Sequence, residues 1–512
     1  MKGLCRWHGR KVALLAAILA VCLFSSACSI SRLGAGEENQ TDEIVTLVIE
    51  NMGFREELPD LNLVEERINE KTIPEIGCRI QIKNCRISQH SNLVQSAALG
   101  KIQVDIVGTA MGTSLSELAA DGTIFPLDEW LAPYEDTLKK KIKDTLPATS
   151  IDDHIYAVSA VLYPGYAMGI GYNQHLAEEC GLSFPETIQL ETLTEIGRKM
   201  KQKRPDLYLA AFGSDGMSAF DSFYDVESFG GHFAYGGILY PLENSDIINI
   251  YETEEYRAYC HTMRQWTKEG LMPPDSLTSG VHAASLFNQE KILLQWSSVS
   301  PDTELLILKK QLPFEEKLIA ITPSRASTSE VQEYAWGICA TCRHPEKAMA
   351  FLDLLYRDTE LANLITYGIE GIHYEKTGAE TIRPLKGPDG LIGYETYFSH
   401  FGDPALLYHY GDGNEPSVQD VLSFSARAEK DPSFGYTFQT KGLEARITAI
   451  EEVTERYRTV LEAGMASDVD QTLKEFHEAL KEAGMDLVIE ENRRQFARWM
   501  EKRDSGMSES DR

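Results

Sequence analysis

The sequence predicts an α/β protein of more than one domain, with doubly wound sheets that carry helices on both faces. Three observations lead there. The chain has 512 residues, more than one hydrophobic core holds. The stretch 44–108 reads β-α-β-α-β, the rhythm of a doubly wound sheet. Several strands are short continuous apolar runs, as in strands covered on both faces. The clearest is Ile292-Leu293-Leu294, which turns abruptly into Gln295-Trp296-Ser297-Ser298.

A leader precedes the first strand. Lys2, Arg6, Arg10 and Lys11 flank an apolar run, 12–24, that is too short to span a bilayer comfortably. Ser25-Ser26-Ala27-Cys28 resembles the lipobox of bacterial lipoproteins, with Ser25 where Leu is preferred. Residues 1–27 are therefore expected to leave as a lipoprotein signal peptide and Cys28 to carry lipid; an ordinary secretory signal is the alternative. Two or three acyl chains anchor a protein stably where one does not. Residues 28–42, with Gly34, Gly36, Glu37 and Glu38, read as a flexible tether. No later segment is long and apolar enough to span a membrane.

The first strand is expected over 44–49. Asn62-Leu63-Val64-Glu65 reads as a capping box opening a helix. Cys78, Ile80 and Ile82 alternate with Arg79, Gln81 and Lys83, which marks a strand with one wetter face. Leu93, Val94, Ala97 and Ala98 share a helical face. A third strand, 102–108, runs into Gly108-Thr109-Ala110-Met111-Gly112, a loop suited to close backbone approach.

Farther on, 155–158 reads as a strand and 165–173 as a Gly-rich, aromatic extended piece. The region 210–241 is rich in Gly and aromatics, Phe233 and Tyr235 among them, without a clear period; loops lining a cleft are expected. Helices are expected over 251–269 and 305–312, strands over 317–323 and 334–338. Pro345 starts a helix, and Asp358 caps another that stops at Gly368. From 443 the chain is charged and helical. Ile447, Ile450, Val453, Tyr457 and Leu461 form one core-facing stripe, and Leu473, Phe476 and Leu480 form another.

Charge and motifs exclude several classes. A net charge of -29 leaves no cationic surplus to replace phosphate counterions, so nucleic acid is not an expected partner. No Gly-rich phosphate loop, nucleophile elbow or H-E-x-x-H occurs. Cys339-Ala-Thr-Cys342 has no second cysteine pair, and Asp412-Gly413-Asn414 lacks the closing Glu of a calcium loop. No cofactor and no metal are expected. The sequence leaves open whether Cys78 pairs with Cys85, or Cys339 with Cys342.

Several segments carry a family resemblance. Pro126-Leu127-Asp128-Glu129-Trp130-Leu131, His154-Ile155-Tyr156-Ala157-Val158 and His344-Pro345-Glu346-Lys347-Ala348 are three of them. The most specific is Tyr367-Gly368-Ile369-Glu370-Gly371-Ile372-His373-Tyr374, and Ala483-Gly484-Met485-Asp486 with Gln495 closes the set. Together they resemble bacterial extracellular solute-binding proteins of family 1, the substrate-binding lipoproteins of ABC importers. The match is to the large branch with a distinct C-terminal domain.

The resemblance implies a two-lobed, periplasmic-binding-protein-like fold of type II, with crossing strands and a helical C-terminal extension. Crossings are expected near Tyr156, Lys317 and Asp358. Lobe one would be 43–155 and 316–357, lobe two 156–315 and 358–512. The chain would be a monomer, lipid-anchored at the extracellular face of the cell membrane. It would capture a small solute, a sugar or oligosaccharide first, for permease subunits, and would not be an enzyme. Aromatic faces suit the C–H faces of sugars, and carboxylates suit their hydroxyls. The expected ligand-binding residues are Trp296, Tyr367, Glu370 and Tyr374 from lobe two and Asp105, Thr109 and Met111 from lobe one. Tyr166, Phe233 and Tyr235 join them. Two rival readings stand beside this: a surface signalling or adhesion lipoprotein, and a secreted glycoside hydrolase.

Overall fold

Strand β1 (Val45–Gly53) lies parallel to β2 (Cys78–Arg86), the two joined by the helix Leu61–Ile76. β2 alternates buried and exposed residues, which is why its sequence alternates apolar with charged. The helix His90–Ala98 returns the chain to β3 (Ile106–Gly108), parallel to β1 on its other side. β4 (Val158–Ser159) and the much later strand Ala335–Ile338 complete a five-stranded sheet, in the order β2, β1, β3, Ala335–Ile338, β4. The late strand runs antiparallel to both of its neighbours.

The second sheet has β5 (Ala167–Asn173) at its centre, with β6 (Leu294–Val299) and β7 (Glu316–Ala320) on either side, both antiparallel to it. The glycines of β5 have a packing reason. A Cβ at Gly169 would stand 2.0 Å from the carbonyl oxygen of Ile319. Trp296 itself stands on an antiparallel strand, whereas the apolar run ahead of it pairs parallel at Ile292 with Tyr208, its Leu293 and Leu294 amides donating to the Tyr208 and Leu209 carbonyls.

This computed structural model describes residues 44–506 except 54, 110–112, 213–218, 241–245, 279–281, 311, 397–400 and 412–415. The leader, Cys28, the tether, Met111 and the Asp412-Gly413-Asn414 motif lie outside the described residues. All six cysteines from Cys78 onward are free thiols.

The expected lobe borders need correction. β4 still belongs to the first sheet, so the first crossing is at 160–166 and not near Tyr156. β7 pairs with β5, so 316–320 belongs to the second sheet. The chain returns only after β8 (Arg325–Ala326) and the helix Thr328–Glu333, at β9, the strand Ala335–Ile338. Asp358 does not open lobe two either. The helix Thr359–Tyr367, β10 (Tyr374–Lys376), β11 (Thr381–Pro384) and β12 (His409–Tyr410) extend the first lobe. Leu361, Ile365, Tyr367, Tyr374 and Ile382 share one core with Leu47, Ile80 and Phe351. The third crossing is at β13 (Glu429–Lys430), which pairs parallel with β8.

The C-terminal helices Glu444–Glu462, Val469–Ala483 and Met485–Gly506 join the second core. Ile447, Ile450, Leu461, Leu473, Phe476 and Leu480 pack there with Trp266 and Leu293, while Val453 and Tyr457 of the first expected stripe are half-buried against the same core.

Candidate functional site

Three connections meet where the sheets join. Tyr166 and Arg325 exchange backbone hydrogen bonds of 3.2 and 3.0 Å. The Gly165 amide donates to Glu330 Oε1 at 2.8 Å, and Ser327 Oγ accepts from the Glu330 amide at 3.1 Å, capping its helix. The Arg325 guanidinium grips Asp225 through two hydrogen bonds of 2.7 and 2.6 Å, meets Glu429 at 3.2 Å and lies 4.1 Å over the Tyr240 ring. Beneath it, the Tyr240 hydroxyl stands 3.4 Å from Glu227 Oε2 and 3.3 Å from Asp431 Oδ1. Burial raises both carboxyls above their ordinary range, and the two repel one another.

Beside this junction is a cluster of aromatic rings. The half-buried Trp296 ring lies 6.3 Å from the ring of Trp266 in a stacked arrangement, and Phe223 meets it edge-on at 5.5 Å. Trp266 is wholly buried, its indole N–H given to Thr194 Oγ1 at 2.7 Å, so it backs Trp296 rigidly. After β6 the chain turns into the helix Pro301–Lys310, where Ser300 Oγ accepts from the Thr303 amide at 3.2 Å.

Asp302 and Glu333 reach solvent. Yet lost hydration raises both carboxyls, that of Asp302 to about 6. The same cause raises Glu330 to about 8 and Asp221 to about 7, and lifts the half-exposed Tyr166 phenol. The charges bearing most on Tyr166 are Glu330, Glu333, Asp221 and Asp431; Glu333 and Asp302 in turn bear on Glu330. Asp221 shares a short helix, Ala219–Phe223, with the ring that touches Trp296. Two buried oxygens here, Asp221 Oδ1 and Glu330 Oε2, have no hydrogen-bond partner among the described residues. Flat apolar rings beside unspent acceptors suit a polyhydroxylated ligand with C–H faces.

Of the expected site residues, Trp296 stands half-buried against Trp266 and Phe223, and Tyr166 pairs with Arg325 at the junction. The others fall elsewhere. Tyr367 and Tyr374 are buried in the first core, 6.3 Å apart edge-on, and the Tyr367 hydroxyl donates to the Tyr408 carbonyl. Both thus belong to the first lobe and not the second, because their rings fill the space between the helix Thr359–Tyr367 and β10–β12. Glu370 is an exposed partner of Lys376 at 3.3 Å. Asp105 is buried and structural: its Oδ2 accepts from the Val48 amide and from Gln103 Nε2, each at 2.8 Å. The buried Thr109 hydroxyl accepts from the Ala335 amide at 2.9 Å and so ties β3 to β9. Phe233 and Tyr235 are second-core residues, Tyr235 against Phe438 at 5.1 Å. The aromatics of 210–241 are mostly packed inward rather than lining a loop-built cleft.

Sequence reading passed over Phe223, Asp221, Asp302, Glu330 and Glu333. Two had local signals. Pro301-Asp302 opens a helix right after the Trp296 strand, and Ser327 stands three residues before Glu330 as a capping pair.

A model of the bacterial extracellular solute-binding proteins matches residues 88–361, more than half the chain. The chain belongs to that family. A second model, a domain of unknown function (DUF3502), matches residues 432–501 of this solute-binding protein, from just after the third crossing to the last helix. A "Carbohydrate ABC transporter substrate-binding protein" of Streptococcus pneumoniae serotype 4 is 24% identical over 386 residues, covering 71% of this chain and 75% of its own. Among solved structures, the "N-glycan transport solute binding protein (NgtS)" of Streptococcus pneumoniae superposes with a TM-score of 0.78 at 20% identity, over 90% of this chain and 100% of that one. An "HMO binding ABC-transporter associated Solute Binding Protein" from Bifidobacterium longum infantis superposes at 0.65 and 14%, over 90% and 99%. These likenesses place the solute-binding protein in the two-lobed type II fold.

Proposed function

We propose that this chain captures an oligosaccharide between its two lobes and delivers it to the permease of an ABC importer. The observation that carries the reading is the half-open Trp296 ring beside the junction. Trp296, Phe223 and Tyr166 offer aromatic faces, and Asp221, Asp302, Glu330 and Glu333 offer acceptors beside them. The relatives' names point the same way: one is a carbohydrate ABC-transporter component, and NgtS was crystallised with Man1GlcNAc and with Man5GlcNAc. In such a receptor no bond of the solute changes. Closure is favoured by the ligand's contacts with both lobes, and the importer reads the closed shape. Acyl chains on Cys28, after removal of 1–27, would hold the monomer at the outer face of the cell membrane, with 28–42 as its leash.

The test is a thermal-shift panel of oligosaccharides, peptides and polyols on the chain from Cys28 onward, with product analysis of each mixture. A ligand at about 100 times its dissociation constant stabilises by roughly 2.7 kcal/mol. Shifts with oligosaccharides that come back unaltered support the reading. Shifts confined to peptides, cleavage of a glycoside, or no shift at all overturn it.

A further inference from the structure

We propose that the C-terminal segment, from Pro432 through the helix Met485–Gly506, is a brace that holds the two lobes at a set angle. The match to a domain of unknown function covers 432–501 of it. One side of the segment is locked into the second lobe. Tyr436 and Phe438 are buried in the second core. The Tyr436 hydroxyl donates to Asn492 Oδ1 at 2.7 Å, and the Asn492 amide donates to the Tyr235 carbonyl at 2.7 Å. Gln439 and Gln495 exchange hydrogen bonds of 2.9 and 3.1 Å, which fasten the segment to the last helix.

The other side reaches the first lobe. Ile142 and Ile151, which flank Pro147 and Ala148, are buried in that lobe. Gln332, on the helix of the second connection, spends both N–H groups of its amide, one on each side. One goes to the Ala148 carbonyl at 2.7 Å and the other to the Thr437 hydroxyl at 2.7 Å. Four residues earlier, the Thr328 hydroxyl accepts from the Gly435 amide at 2.8 Å and donates to the Ser433 carbonyl at 3.2 Å. Gly435 sits at φ +96°, and a Cβ there would stand 3.0 Å from the Cβ of Pro147, so the segment passes close against lobe one. At the end of the last helix, the Lys502 ammonium pairs with Asp153, in the turn between the strands Ser150–Ile151 and His154–Ile155.

Lobes joined by connecting strands alone turn through small backbone changes in those strands. Here such a turn would strand an N–H of Gln332, slide Gly435 past Pro147 and part Lys502 from Asp153. An exposed ion pair contributes little by itself, whereas a half-buried amide that loses its partner is left unmet. Gln332 is therefore the firm point of the brace and Lys502 the weaker one.

The experiment is pulsed electron paramagnetic resonance on the chain from Cys28 onward, without added ligand. Spin labels stand at Glu66 and Lys199, exposed on one helix of each lobe, and in a second sample at Lys199 and Lys474 within lobe two. Non-natural residues carry the labels, so the thiols stay untouched. The parent should give one narrow interlobe distance. Gln332→Glu keeps the side-chain shape but sets an acceptor against the Ala148 carbonyl, and it should widen that distribution at least about twofold. D153K and K502D should each widen it less, and the charge swap D153K/K502D should narrow it again. The pair inside lobe two should keep its width throughout. A parent distribution already broad, or one that Q332E leaves narrow, overturns the brace. A width that D153K and K502D leave unchanged, or that the swap does not restore, overturns the part given to Lys502. If Q332E also widens the pair inside lobe two, the exposed charge variants, which leave both cores intact, decide. No solute enters these measurements, so they stand or fall apart from the oligosaccharide reading.

Discussion

Glu330 and Gly165 are 165 residues apart in sequence and 2.8 Å apart in space, the Gly165 amide donating to the Glu330 carboxyl. This bond ties the first connection between the lobes to the second. Gly165 sits at φ +142°, and a Cβ there would stand 2.6 Å from the Cβ of Ala428 on the approach to the third connection. Gly165→Ala should therefore cost about 1–3 kcal/mol. A urea titration would show it as a lower midpoint, and Ala428→Gly in the same chain should restore part of the loss by removing the contact while leaving the strain in φ.

The buried carboxyls make stability fall as pH rises. Glu330 goes from 4.5 to about 8 and Asp221 from 3.8 to about 7 on folding. A carboxyl raised in this way contributes stability that is fully present below its unfolded value and is lost as pH rises through its folded one. His232 acts in the opposite sense, because burial lowers it from 6.5 to about 4, but its effect is confined to pH below 6.5. Glu330 faces the Gly165 amide, Ser327, Glu333 and Asp302, none of which supplies a compensating positive charge. The melting temperature should fall between pH 6.5 and about 8.5, and Glu330→Gln should flatten that slope. A melting temperature constant over this window would contradict the assignment.

Trp296 is the ring on which a sugar face would lie, backed by Trp266 and edged by Phe223. Trp296→Ala should weaken oligosaccharide binding by about 2 kcal/mol or more, roughly thirtyfold, and Trp296→Phe by much less. Calorimetry on both variants against one oligosaccharide that raises the melting temperature of the parent decides it.

Tyr367 carries the opposite expectation. It is a buried first-lobe residue whose hydroxyl serves the Tyr408 carbonyl. Tyr367→Phe should cost about 1 kcal/mol of stability by leaving that acceptor unmet, with ligand affinity within about twofold of the parent. A large affinity loss at unchanged stability would return Tyr367 to the binding surface.

Arg458 and Glu462, 4% and 2% exposed, form a buried pair one turn apart on the helix Glu444–Glu462, with the Tyr256 hydroxyl 3.2 Å from Glu462. Arg458→Ala should destabilise by about 3–5 kcal/mol because it strands a buried carboxylate. Replacing both partners, as in R458M/E462L, should recover most of that loss in a denaturant melt.

Much of the fold was legible in the residues. The alternation in β2, the stripes from Ile447 to Leu480 and the cap at Asp358 are local patterns, and each element stands where its pattern put it, since periodicity reports which face is apolar. Periodicity does not report what covers that face. Tyr367, Tyr374, Phe233 and Trp296 look alike in sequence, each an aromatic within three residues of a Gly or Ser. Only packing separates the three that fill a core from the one left half-open over Trp266. The lobe borders were hidden for the same reason: β7 and β9 are both short apolar strands, and only pairing assigns one to each sheet. The carboxyls that folding desolvates were the least legible. Acidic residues are common throughout this chain, and what marks Asp221, Asp302, Glu330 and Glu333 is the loss of water that the surrounding elements impose together. Sequence determined the order of elements and the family; the tertiary structure alone decided which aromatic side chains fill a core and which keep a face open, because burial depends on what packs against a face and not on the local pattern.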